Sequence, residues 1–118
     1  MKQPQLYSMT YIFLAIGAII FFVACKGSTP IDIPAGSFLV DVRTPQEFKE
    51  GSAPGAINIP LDQVPTQIDK FKGKDNIVVF CRSGNRSGQA KKILEENGIT
   101  NVLNGGSWGN VKKSLEKQ

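Results

Sequence analysis

The chain has 118 residues, with 14 lysines and arginines against 10 aspartates and glutamates and a formal net charge of +4. This length allows one domain with a single core, and the basic residues are scattered over several segments, which argues against nucleic-acid binding. There is no histidine, and there are only two cysteines. These counts exclude Cys-His protease chemistry and leave a structural zinc site without a sufficient set of ligands.

The amino terminus carries an apolar run over residues 12–23, preceded by a segment with one lysine. A helix that spans a bilayer needs about 20 apolar residues, so this shorter run fits a secretory signal better. The run ends in Ala24-Cys25, which is similar to the lipobox of bacterial lipoproteins. We therefore predict a signal peptide over 1–24, lipid attached to Cys25, and an exported domain held at a membrane of the cell envelope, facing the periplasm or exterior. An uncleaved anchor and simple cleavage are the alternatives.

Residues 25–30 are predicted to be a tether, and residues 31–118 a domain in which strands and helices alternate. The predicted strands cover residues 31–33, 38–42, 56–59, 77–80 and 101–104. Four helices are predicted: one that starts at residue 45, one over 64–71, one after the segment that follows residue 81, and a last one over 108–115. Such alternation predicts an α/β fold with a small parallel sheet and helices on both faces.

The helix after strand 38–42 has three agreeing start signals: Thr44 as the N-cap, Pro45 at the first helical position, and Glu47 three residues after the cap. Arg43 directly precedes this helix and is predicted to pair with Glu47 or to support a neighbouring loop. Asp41 and Arg43 are accordingly interpreted as scaffold rather than as an acid–base pair.

The strand over 77–80 leads into Cys81, the most informative point in the chain. The residues that follow, before a predicted helix, are Arg82, Ser83, Gly84, Asn85 and Arg86. Ligands of parallel sheets bind beyond the carboxyl ends of the strands. There the thiol faces loop N–H groups, a helix amino end and two guanidinium groups, which together stabilise a thiolate and form a cradle for an anion. We therefore predict that Cys81 is a catalytic nucleophile and that residues 82–86 bind an anionic substrate.

Within this segment the two arginines are predicted to contact the anion. The smaller residues are predicted to shape the loop and cap the helix, so that their backbone N–H groups hold the substrate; they are Ser83, Gly84, Asn85 and Ser87. An inert buried thiol is the alternative for Cys81, and a disulfide with Cys25 would silence the site.

These residues resemble a single-domain rhodanese, a thiosulfate sulfurtransferase, over about 80 positions. The resemblance is specific at 41–43 with 47–48, at 55–60, at the loop from Cys81 to Arg86, and at the glycine pair 105–106. Within the family the chain is most similar to the small exported rhodaneses of bacteria, of the phage-shock type. Trp108, close to the glycine pair, is expected either in the core or in the wall of the pocket.

The resemblance implies a rhodanese-like three-layer fold and a monomer. It also implies transfer of sulfur from a small anionic donor, through a persulfide on Cys81, to a thiol or a carrier protein, with no metal and no organic cofactor. The loop from Cys81 to Arg86 has one residue fewer than in the related cell-cycle phosphatases, which favours sulfur over phosphate. A non-catalytic rhodanese-like binding module and a phosphatase or arsenate-type enzyme are the alternatives.

Overall fold

The computed structural model of the protein describes residues 29–118. The predicted signal segment, the predicted lipid site Cys25 and most of the predicted tether lie outside the described residues. From residue 29 onward, no helix is both long enough and apolar enough to cross a bilayer.

Strands and helices alternate along the described part of the chain. The elements are β1 Phe38–Asp41, α1 Pro45–Glu50, β2 Ile57–Asn58, β3 Ile77–Cys81, α2 Asn85–Glu96, β4 Val102–Ser107 and α3 Trp108–Glu116, with 3₁₀ helices at Leu61–Thr66 and Ile68–Phe71 between β2 and β3. The four strands form one sheet in the order β2-β1-β3-β4, and every neighbouring pair is parallel. The predicted α/β fold with a parallel sheet flanked by helices is confirmed.

Both faces of the sheet are covered by packed side chains. Alternate side chains of each strand point to opposite faces, and each set belongs to a separate core cluster. Val40 and Val79 pack on one face with Leu94 of α2, in a cluster that also holds Cys81. Leu39 and Phe80 pack on the other face, in a cluster with Val111 of α3. All five residues of β3 are buried. This double burial explains why the central strand has an almost continuous apolar sequence.

The strand predicted over 101–104 continues through the glycine pair as β4, and two other predicted elements differ in kind from the structure. Residues 31–33 form no strand: the N–H of Ile31 donates to Oγ of Ser114 at 3.0 Å, so a side chain takes the place of a strand partner. The helix expected through 64–71 is divided into two 3₁₀ helices, because Pro65 has no N–H to donate and Gln67 leaves the helical conformation at φ −121°. Val64 and Phe71 are buried as the spacing indicated, so the buried face was right and the helix type was wrong.

Gly105, in β4, lies where the sheet meets α3. A Cβ at this position would lie 2.7 Å from Cγ2 of Val111 and 2.9 Å from Cγ1 of Val78. We expect Gly105→Ala to lower the free energy of unfolding by about 1–3 kcal/mol, since overpacking forces such contacts apart. Gly109→Ala is the matched control, because its Cβ would meet no atom within 4 Å. Urea unfolding of both variants checks this, and equal stabilities would contradict it.

The strand order places the site. From β1 the chain moves to β2 on one side, whereas β3 lies on the other side of β1. The order of the sheet therefore reverses between β1 and β3, which is where a parallel sheet opens a crevice for ligands at its carboxyl edge. Asp41 ends β1 and Cys81 ends β3, so both lie at this edge.

Candidate active site

Cys81 is the last residue of β3, and its relative exposure is 0 %. The loop after it folds back over the sulfur, so that the N–H of Gly84 donates to Sγ at 3.0 Å. The hydroxyl Oγ of Ser87, in the first turn of α2, lies 3.4 Å from Sγ. Gly84 permits this turn because it precedes α2 with φ 98°, a left-handed conformation that side chains disfavour. The loop and the first turn of α2 thus place one backbone donor, the Gly84 N–H, and one hydroxyl, that of Ser87, against the sulfur.

The loop changes the acidity of the thiol in two opposing ways. Burial raises the pKa of Cys81, because it disfavours the charged form. Hydrogen bonds from the Ser87 side chain and from the N–H groups of Ser87, Ser83 and Gly84 lower it, and the net pKa lies below the ordinary value. The lowered pKa makes the thiolate easier to form than in a free cysteine, and the thiolate is the form of cysteine that acts as a nucleophile.

Arg86 is held by a carboxylate of the neighbouring helix. Its Nη1 donates to Oε1 of Glu47 at 2.7 Å, and its Nη2 donates to Oε2 at 3.0 Å. These bonds are the main reason that the pKa of Glu47 falls to about 2. They are also the main reason that the pKa of Arg86 rises, and the negative charge of Cys81 contributes to the rise for Arg86. The predicted pairing of Arg43 with Glu47 is therefore wrong, because Arg86 is the partner of Glu47.

Arg43 turns into the protein instead, where it meets Asp41. The carboxylate of Asp41 accepts from Nε of Arg43 at 3.0 Å and from Nη2 at 2.7 Å, and it also accepts from Oγ of Ser52 at 2.8 Å. Nη2 also donates to the carbonyl of Gly51 at 2.6 Å, and Cζ lies 5.1 Å from the ring centroid of Trp108. The structure thus places both members of the pair in the scaffold that joins β1 to the segment around Gly51.

A cleft of about 260 Å³ opens beside the loop and is lined by Arg43, Glu47, Glu50, Gly51, Arg82 and Trp108. Arg82 is exposed there and makes no ion pair among the described residues. Trp108 lines this cleft and also packs against the core cluster beneath, so both expectations for it hold. The two arginines of the loop therefore differ: Arg82 faces the cleft, and Arg86 is bound to Glu47.

The other loop positions contribute backbone rather than side chains. Ser83 and Asn85 are exposed, and Oδ1 of Asn85 accepts from Nε2 of Gln89 at 2.9 Å.

In residues 29–118, no three His, Cys, Asp or Glu side chains lie close enough together to hold a metal ion. Cys81 has no disulfide partner in that range.

Asn104 of β4 belongs to the site, although the sequence contained no sign of it. Its Oδ1 accepts from Oγ of Ser87 at 2.7 Å, and its Nδ2 donates to the carbonyl of Gly84 at 3.1 Å. For Ser87 the sequence predicts a part in shaping the loop, in capping the helix and in holding the substrate through its backbone N–H. The structure adds its hydroxyl, which lies between Asn104 and the Cys81 sulfur. Asn104 and Ser87 are 17 residues apart and meet only because β4 pairs with β3. The contact between Asn104 and Ser87 could have been predicted only if the pairing of β3 with β4 had been known.

Glu47→Gln tests the link between Glu47 and Arg86. Because the pKa of Glu47 falls from 4.5 to about 2 on folding, its ion pair contributes stability above about pH 4.5 that is lost as the pH falls toward 2. We expect the wild type to unfold at higher urea than Glu47→Gln at pH 7, with a smaller difference at about pH 3. Glu50→Gln removes a carboxylate of the same helix that has no ion pair among the described residues, and is the control. A difference that stays constant with pH would contradict the pairing.

Comparisons with known proteins show the family of this chain. Residues 28–110 match the rhodanese-like domain family. The chain is 43 % identical over 82 residues to the thiosulfate sulfurtransferase PspE of Escherichia coli (strain K12). This match covers 65 % of this chain and 76 % of that protein. It is 39 % identical over 66 residues to a sulfurtransferase of Allochromatium vinosum, covering 56 % of this chain and 62 % of that protein, so the chain spans less than two thirds of this relative.

The fold agrees as well. A solved rhodanese with anions from Escherichia coli matches with a TM-score of 0.59 and 39 % identity, over 64 % of this chain and 91 % of that one. The human single-domain sulfurtransferase TSTD1 matches with a TM-score of 0.56 and 25 % identity, over 78 % of this chain and 99 % of that one. Since the family match covers most of the chain, this chain belongs to the rhodanese-like family.

Proposed function

We propose that the protein is a thiosulfate-type sulfurtransferase that carries sulfur as a persulfide on Cys81. The observation that carries the proposal is the surroundings of the sulfur: the N–H of Gly84 at 3.0 Å, the Ser87 hydroxyl at 3.4 Å, and a pKa lowered by these bonds. The names of the similar proteins, a thiosulfate sulfurtransferase and a sulfurtransferase, support the same reaction class.

In the first half of the proposed reaction, the Cys81 thiolate attacks the outer sulfur of thiosulfate. The sulfur–sulfur bond of thiosulfate breaks, and its electron pair leaves with sulfite. A persulfide remains on Cys81, and its terminal sulfur carries negative charge. N–H groups already pointing into the loop and the amino end of α2 stabilise that charge without having to reorganise.

In the second half, an acceptor takes the terminal sulfur. A nucleophilic acceptor, which is a thiol or a carrier protein in the cell and cyanide in an assay, attacks the terminal sulfur. The persulfide bond breaks, and its electron pair returns to Cys81 as thiolate. The persulfide is itself the covalent intermediate, so these steps use no metal and no organic cofactor.

The arginines have separate parts in this proposal. Arg82, exposed at the cleft, attracts the anionic donor toward the loop. Arg86 acts on the bound sulfur through its positive charge while Glu47 holds its guanidinium in place. Arg82, Ser83, Gly84, Asn85 and Arg86 remain the proposed substrate-binding residues. The similarity to a solved rhodanese with anions from Escherichia coli supports an anionic ligand for this protein.

Intact mass spectrometry tests the proposal. The full chain is treated with thiosulfate, desalted and weighed, and we expect one added sulfur atom that disappears on addition of cyanide. An aryl phosphate is offered to the same preparation as the test of the phosphatase alternative. Addition of no sulfur, or hydrolysis of the phosphate, would overturn the proposal. A binding module without catalysis would give neither result.

We further propose that the protein is exported and held at a membrane by lipid on Cys25. The apolar run over 12–23 ending in Ala24-Cys25 supports this proposal. Acyl chains contribute about 0.8 kcal/mol per buried CH₂, so a multiply acylated cysteine anchors a domain stably. We expect Cys25→Ala to release the domain from membranes or to leave an unprocessed precursor, as measured by fractionation and by mass. A membrane-bound wild type that keeps residues 1–24 and carries no lipid would show an uncleaved anchor instead.

A further inference from the structure

The Ser87 hydroxyl has one proton and two neighbours that can take it. Ser87 is fully buried, so no solvent molecule competes for its hydroxyl. Its Oγ lies 2.7 Å from Oδ1 of Asn104, to which it donates, and 3.4 Å from Sγ of Cys81. A hydroxyl donates one hydrogen bond at a time. While Ser87 donates to Asn104, Cys81 can only be the donor in its own contact with Ser87, as a thiol.

The amide of Asn104 is oriented by two backbone groups. Its Oδ1 accepts from the N–H of Gly106 at 3.0 Å, and its Nδ2 donates to the carbonyl of Gly84 at 3.1 Å. A flipped amide would place two donors together at Gly106 and two acceptors together at Gly84. Asn104 therefore presents an acceptor to Ser87 and cannot present a donor.

We propose that Asn104 is a positioning residue of the sulfur-transfer site, which acts by competing with the Cys81 sulfur for the Ser87 hydroxyl proton. Asn104 holds that hydrogen bond while Cys81 is a thiol. When Cys81 becomes a thiolate, the hydroxyl turns to the sulfur, because a hydrogen bond to an ionised acceptor is stronger than one to an amide oxygen. The proton stays on Ser87 throughout, and only its hydrogen-bond acceptor changes.

The place of this exchange in catalysis rests on the proposed function. When an acceptor attacks the terminal sulfur of the persulfide, the sulfur–sulfur bond breaks and its electron pair goes to Sγ of Cys81. Ser87 then turns its hydroxyl from Asn104 to the departing thiolate. Asn104 thereby sets how readily Cys81 accepts negative charge, although it does not touch the sulfur.

A double-mutant cycle on the full chain tests the competition. The proteins are the reference, Ser87→Ala, Asn104→Ala and the double variant, all with Cys25→Ala so that Cys81 is the only thiol. The rate of alkylation of Cys81 by iodoacetamide is measured against pH. The charged groups around the sulfur are the same in all four proteins, namely Arg82 on the loop, Arg86 on α2, Glu47 on α1, and Asp41 and Arg43 at the end of β1.

We expect Ser87→Ala to raise the midpoint of alkylation by about one pH unit, because the thiolate loses a donor. Asn104→Ala should lower the midpoint by several tenths of a unit where Ser87 is present and leave it unchanged in the Ser87→Ala background. An upward shift from Asn104→Ala, or the same shift in both backgrounds, overturns the proposal, since a general loosening of the loop does not depend on the Ser87 hydroxyl.

Asn104→Leu repeats the cycle with a side chain of similar size, should Asn104→Ala impair folding, and circular dichroism checks each protein. Alkylation requires no sulfur donor. Absence of persulfide in the wild type would therefore overturn the proposed function without affecting the result of the cycle.

Discussion

Cys81→Ser is expected to abolish sulfur transfer from thiosulfate to cyanide, with a loss of more than about a thousandfold, because a neutral hydroxyl is a far weaker nucleophile than a thiolate. The fold should persist. Serine is slightly smaller than cysteine, and its oxygen can accept the N–H of Gly84 that now reaches Sγ at 3.0 Å. Sulfite release and thiocyanate formation measure the two halves of the reaction.

Cys25→Ser is the matched control for this loss. It makes the same substitution at the other cysteine of the chain, which lies outside the described residues, and we expect it to keep full activity in the thiosulfate and cyanide assay. Turnover by a folded Cys81→Ser protein within tenfold of the wild type would show that the sulfur is not carried on Cys81.

Arg43→Ala is expected to lower the free energy of unfolding by about 3–5 kcal/mol, because it leaves a buried carboxylate without its counter-charge. Asp41 has a relative exposure of 0 % and Arg43 one of 5 %, and their closest charged atoms, Nη2 and Oδ2, lie 2.7 Å apart. After the substitution only the Ser52 hydroxyl and the backbone N–H of residue 43 still donate to Asp41. Urea unfolding at pH 7 measures the loss.

Two further variants separate this cause from general damage. Asp41→Asn in the Arg43→Ala background removes the buried charge, so it should recover part of the lost stability. Lys72→Ala breaks an exposed pair with Asp69 that is also short, at 2.8 Å, and it should change the stability by less than about 1 kcal/mol. Equal losses from Arg43→Ala and Lys72→Ala would contradict the importance of burial.

Local signals in the sequence predicted local structure well. The capping box at the start of α1 is confirmed: Oγ1 of Thr44 accepts from the N–H of Glu47 at 3.2 Å, and Oε1 of Glu47 accepts from the N–H of Thr44 at 3.3 Å. The same kind of reasoning failed at 64–71. There the apolar spacing identified the buried positions, but Pro65 has no N–H, and two 3₁₀ helices replaced the expected α-helix.

The sequence by itself determined that Cys81 ends a buried strand and enters a glycine-containing turn before a helix, because these features lie within a few consecutive residues. Only the tertiary structure decided which partners the side chains reach. Glu47 meets Arg86 across 39 residues, and Asn104 meets Ser87 across 17. Along the chain, Arg43 lies close to both Asp41 and Glu47, whereas Arg86 lies close to neither. Which carboxylate each arginine binds depends on how the ends of β1, β3 and β4 lie side by side in the sheet. The spacing of residues along the chain does not reveal the distances between these ends.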